Sequence, residues 1–162
     1  MFDSTLSGIT DACTMMDHSN ELDFLLQFFD NDLVDMIVLE TNWYTHYVCR
    51  SFVAMPPRCR LANWTNTTRD KIYLFFCIMI LMSHNKNRIN DYWSKDEAYE
   101  QKIFGKLITR DRFLQKLRCL HFTDNTKAVE DDKLQKIRPV HSSFKTKFRP
   151  FQELCVYESP MK

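Results

Sequence analysis

Apolar residues recur through most of this chain at the three-to-four spacing of amphipathic helices. Leu22, Leu25, Leu26 and Phe29 form the inner side of a short first helix, with Ser19 or Asn20 as its cap. Asp30 and Asn31 interrupt it and offer a new cap. Leu33, Met36, Ile37 and Tyr44 carry a second helix, which ETNWY at 40–44 closes. Adjacent Pro56 and Pro57 oppose both helix and sheet, so 55–62 reads as a loop. Its Arg58 and Arg60 either touch phosphate or stand exposed. The next helix begins at Thr65 or Thr67, where Thr67 and Asp70 make a variant capping box. Ile72, Phe75, Phe76, Met79 and Ile80 take one face of it, and Leu74, Cys77, Ile78, Leu81 and Met82 cover much of the rest. A helix apolar nearly all round belongs in the middle of a bundle. The uninterrupted apolar run, 72–82, is too short to cross a bilayer, so no membrane partner is expected.

Beyond it, 85–90 is polar and basic. Tyr92 and Trp93 of DYWS either anchor this loop to the core or stack on exposed bases. SKDEAYEQKIF, 94–104, is a polar helical turn. The C-terminal third is organised around the stretch 107–139. Thr109 is a good N-cap, and Phe113, Leu117 and Leu120 give one apolar face, with Arg110, Arg112, Lys116 and Arg118 largely off it. Residues 125–128 break the helix, and Glu130, Asp131 and Asp132 form an acidic run. Pro139 opens a last helix, since proline fits the first helical position. There Val140, Phe144 and Phe148 recur every four residues, with Lys145, Lys147 and Arg149 opposite, until Pro150 stops it. Residues 154–157 read as a short strand. The expected architecture is mainly α: a flexible acidic leader at 1–18, a multi-helix bundle at 19–150, and a short orphan strand within 151–162.

Composition narrows the function classes. Only 2 of 162 residues are glycine, which disfavours a glycine-loop nucleotide site and a turn-rich β fold. The net charge of +1 conceals an asymmetry: −8 over 1–50, +2 over 51–100 and +7 over 101–162. A basic C-terminal third suits a polyanion, although solvated helix faces have the same composition. Cys13, Cys49, Cys59, Cys77, Cys119 and Cys155 include no CxxC, and the acidic N-terminus has no signal-peptide character. Reduced thiols in the nucleus or cytosol are expected. His46, Cys49 and Cys59 fit no zinc spacing, and Cys119 and His121, two apart on a helix, form no ready dyad.

Several spaced segments carry a resemblance: ETNWY at 40–44, ILM at 80–82, DYWS at 91–94, RDRF at 110–113, RCLHFTDN at 118–125 and DKLQKIRP at 132–139. In this order they resemble the N-terminal part of piggyBac-type transposases and their domesticated derivatives, over roughly 28–161. Ser83 stands where that family usually has a glycine. The resemblance implies a helical domain that contacts transposon-end DNA and helps pair two subunits. An RNase H-like core would follow, in which three aspartates hold two Mg²⁺ ions. The first aspartate belongs to a pattern like L-S-I-D-E-S-M. The matching residues are LCVYESPM, with Tyr157 at the aspartate position. A neutral phenol is a poor Mg²⁺ ligand, and the adjacent Glu158 points to the opposite face of a strand. The other aspartates and a cysteine-rich zinc tail would lie beyond Lys162.

The expectation is therefore a non-catalytic, transposase-derived module, nuclear or alternatively cytoplasmic, without a bound cofactor. It would bind DNA mostly through phosphates and pair with itself or with a related transposase. The candidate contacts are Arg110, Arg112, Lys116, Arg118, Lys133, Lys136, Arg138, Lys145, Lys147 and Arg149. The alternatives are a protein-interaction module or a non-functional transposon remnant.

Overall fold

The computed structural model describes residues 21–52, 56, 59–97, 100–125 and 132–148. The leader at 1–18, Arg149 and the strand at 154–157 lie outside them. Among the described residues the chain is mainly helical and holds no strand: α1 (Glu21–Phe28), α2 (Asn31–Ser51), α3 (Arg69–His84), α4 (Lys102–Leu107), α5 (Arg110–Cys119) and α6 (Arg138–Phe148). Two 3₁₀ turns, Arg60–Asn63 and Asp91–Trp93, punctuate the connections. The multi-helix bundle expected from the periodicity is what forms.

α3 is the central helix, because both apolar clusters meet on it. One joins Phe75, Ile78, Tyr92, Phe104, Ile108 and Phe113. The other joins Leu33, Val34, Ile37 and Ile72, with Val140 and Phe144 of α6 packed against it. Phe76 and Leu120 touch both. Yet α3 is not buried all round: Met79, Ile80 and Cys77 face outward, because α2, α4 and α5 cover only one side. Its start also differs from the expected capping box. Thr68 is the N-cap, with no side-chain bond, and the Thr67 amide instead donates to Asn42 Oδ1 at 2.8 Å.

α2 does not close at ETNWY but runs on to Ser51. The polar residues of that segment serve as joints. Thr41 Oγ1 accepts from the His121 amide at 3.2 Å and lies 3.4 Å from His121 O, while Tyr44 stacks flat on the His121 ring at 4.1 Å. Asn42 Nδ2 donates to Thr67 O at 3.0 Å. Polar side chains buried mid-helix are stable when each finds a partner, as these do.

DYWS anchors its loop to the core. The Tyr92 hydroxyl accepts from the Asn87 amide at 3.2 Å and reaches the Met82 and Asn85 carbonyls, so it satisfies the open end of α3. Trp93 Nε1 donates to Ile108 O at 2.8 Å, and its ring packs on Phe104 and Phe113.

The two ends of the described chain meet. Asp30 caps α2 by accepting from the Leu33 amide at 2.9 Å, and it pairs with Lys147 Nζ of α6 at 2.7 Å. Burial pushes the Asp30 carboxyl pKa up. The Lys147 and Leu33 hydrogen bonds outweigh that and hold it below the usual carboxylate range. Asp30→Ala is expected to cost about 1–2 kcal/mol at pH 7, most of it the cap. Because the folded pKa is depressed, this stabilisation exists above about pH 4 and is lost as pH falls through the folded value. Urea unfolding of both proteins at pH 7 and pH 3 checks it: the difference between them should shrink in acid.

Candidate nucleic-acid interface

Thr109 starts α5 as its composition suggests, its hydroxyl accepting from the Arg112 amide at 3.3 Å. The rotation of α5 is less obvious. Phe113 is buried, but Lys116 is only 1% exposed while Leu117 is 41% exposed. The Lys116 stem lies in the core and its Nζ donates to Lys71 O of α3 at 2.5 Å. Burial, with help from the positive charges of Arg112 and Lys71, pushes its pKa down to about 8.

Arg112 is half-buried. Its guanidinium sits 4.5 Å over the Trp64 ring and donates to Thr65 O at 2.5 Å and Gln115 Oε1 at 3.1 Å. Gln115 in turn donates to Arg60 O at 2.5 Å. Together these side chains clamp 60–65 against α5. Arg138 forks onto Asp132, with bonds of 2.5 and 2.6 Å, and closes the turn before α6. The guanidinium holds the Asp132 carboxyl below its usual range. Lys147 is spent on Asp30 and on Phe28 O at 3.0 Å.

Four of the ten candidate cations thus have partners within the fold: Arg112, Lys116 and Lys147 across elements, and the exposed Arg138 within its own turn. Arg110, Arg118, Lys133, Lys136 and Lys145 are exposed. Arg110 is 3.8 Å from Asp111, a weak surface pairing.

The structure adds cations that sequence patterning does not single out. Lys95, Lys102 and Lys106 line a hollow of about 270 Å³ together with Trp93 and Gly105. It adjoins a second, of about 400 Å³, lined by Trp93, Lys95, Gly105, Thr109 and Arg110. One shallow groove therefore runs from α4 to the start of α5, with four cations along it and Glu100 and Asp111 among its walls. The groove is roomy at Gly105, for a Cβ there would meet nothing within 4 Å. The spacing of four from Lys102 to Lys106 to Arg110 was the available signal; the acids at 96, 97 and 100 obscured it.

Over residues 20–162 the chain matches the family model described as Transposase IS4. The chain belongs to that transposase family. No solved structure matches it. Several of the segments that read as family signatures are, in this transposase-family fold, paired joints. ETNWY meets RCLHFTDN through Thr41, Tyr44 and His121, and DYWS joins the end of α3 to the residue before Thr109. Asp132 and Arg138 close DKLQKIRP on itself.

Other candidate chemistry does not assemble. Cys119 is buried, and burial raises its thiol pKa, while the His121 ring lies on Tyr44. His46 bonds Asn66 Oδ1 at 2.7 Å, and Cys49 turns toward Leu61 O. Among the described residues no three His, Cys, Asp or Glu side chains gather as a metal site, and no helix is long and apolar enough to cross a membrane. Tyr157 and Glu158 lie outside the described residues.

Proposed function

We propose that this transposase-family chain is a piggyBac-type, transposase-derived nuclear module that grips DNA and self-associates without cutting. The observation that carries the reading is the open groove at α4 and α5, where Lys95, Lys102, Lys106 and Arg110 line one surface without close ionic clamping. Such a row suits a phosphate backbone, whose affinity comes from released counterions rather than base reading. Arg118, Lys133, Lys136 and Lys145 supply further exposed positive charge. The donor chemistry at 157–158, a phenol beside a single carboxylate, does not fit a pair of Mg²⁺ ions, so no strand-transfer step is assigned.

Duplex binding measured by anisotropy across a salt series tests this. Wild-type affinity should fall steeply between low and physiological salt. Lys106→Glu with Arg110→Glu should weaken binding at low salt and flatten the log–log salt slope by about 2. Salt-insensitive binding, or none at low salt, refutes the DNA reading. Nicked or joined oligonucleotides formed by the pure protein, and abolished by chelator, refute the non-catalytic part.

A further inference from the structure

The outer side of α2 is unusually apolar. Leu39 is 67% exposed, Trp43 41% and Tyr47 57%, and the Trp43 and Tyr47 rings stack nearly parallel at 5.5 Å. Scattered exposed hydrophobes are ordinary, but a continuous stripe on one helix marks an interaction surface. The buried side of this helix is Leu33, Val34, Ile37, Thr41 and Thr45. Opposite it stand the exposed Asp32, Leu39, Trp43, His46 and Arg50, while Met36 is half-buried against the Leu33 cluster. The spacing from Leu39 through Trp43 and His46 to Arg50 is that of a helix–helix seam, and Asp32 stands one heptad before Leu39.

The seam is apolar in the middle and oppositely charged at its ends. If a second copy lies antiparallel and centred on position 41, Leu39 faces Trp43 of the other copy and Asp32 faces Arg50. Two-fold symmetry makes each pairing twice. In a parallel arrangement Asp32 would face Asp32 and Arg50 would face Arg50, which is repulsive. Among the described residues neither Asp32 nor Arg50 has an ionic partner, whereas the neighbouring Asp35 is engaged by Arg69. The charge pattern is therefore self-complementary in one orientation only.

We propose that this face of α2 is a homodimer interface, in which two copies pair their α2 helices antiparallel through Leu39 and Trp43, with Asp32 meeting Arg50 at each end. It rests on the proposed self-association of the chain, and it assigns the surface. One helix seam is small for an interface, so the dimer is expected to be weak, roughly micromolar.

Sedimentation velocity of the full chain over a concentration series tests this by charge exchange. Asp32→Arg and Arg50→Asp should each weaken pairing about tenfold, and the two together should restore it. The double variant places both charges against the helix dipole, so recovered pairing cannot come from a sturdier α2. Trp43→Glu should give a monomer, and circular dichroism should show every variant folded, since these side chains are exposed. A dimer indifferent to the single changes, or one the double change fails to restore, overturns the assigned surface and leaves self-association standing. A monomer at every concentration overturns both.

Discussion

Phe75→Ala is expected to lower the unfolding free energy by about 3–5 kcal/mol. Phe75 is fully buried on the central helix and tilts against Phe113 of α5 at 5.1 Å and Phe76 at 6.0 Å. Removing the ring opens a cavity in the cluster that also holds Ile78, Tyr92, Phe104 and Ile108. That cluster cannot readily collapse, because Tyr92 and Trp93 are pinned by hydrogen bonds to the backbone. Domains of this size have about 5–15 kcal/mol in total, so the variant should stand near its unfolding threshold. Urea titration read by circular dichroism measures the loss. A cost below about 1 kcal/mol would mean that the aromatic cluster is not packed as described.

Lys116→Met is expected to act in the opposite sense and stabilise the protein by about 1–2 kcal/mol at pH 7. The ammonium is desolvated, and its hydrogen bond goes to Lys71 O. Its folded pKa of about 8 lies below the ordinary lysine value near 10.4. Below about pH 8 the amine is charged in both states, and folding carries the whole penalty of burying it. Between roughly 8 and 10.4 the unfolded chain holds a proton that the folded chain has released. Stability contributed by this site therefore rises with pH through that window. Methionine fills much of the same volume without the charge, so the variant's advantage should be greatest at pH 7 and shrink toward pH 10. Paired urea titrations at both pH values give the difference directly. A variant less stable than the parent at pH 7 would show that the Lys71 contact outweighs the buried charge.

Local chemistry was legible in advance, and long-range chemistry was not. Thr109 caps α5 because a hydroxyl there reaches its own first turn, and Pro139 sits in the first turn of α6; both need only nearby residues. The rotation of α5 could not be settled the same way. Positions 113, 116 and 120 are as helical in spacing as 113, 117 and 120, and the choice depends on the Arg60 and Lys71 carbonyls presented by other elements. Charge alone therefore marked Lys116 as phosphate-facing, although its chemistry is spent inside the fold. The end of α2 at Ser51, beyond ETNWY, is set by distant residues in the same way. Thr41 and Asn42 look like terminating residues until His121 and Thr67 arrive as partners. The groove cations at 95, 102 and 106 were hidden by interspersed acids, and only the fold around Trp93 and Gly105 collects them.

The closure of α6 onto the start of the bundle has a consequence for synthesis. Phe144 packs edge-on to Phe29 and Phe28, and Lys147 reaches back to Asp30 and the Phe28 carbonyl. A nascent chain has already released α1 and α2 from the ribosome long before those side chains are made. Until residue 147 emerges, the apolar seat beside Leu33 and Ile72 lacks its last cover, so this end of the bundle closes late.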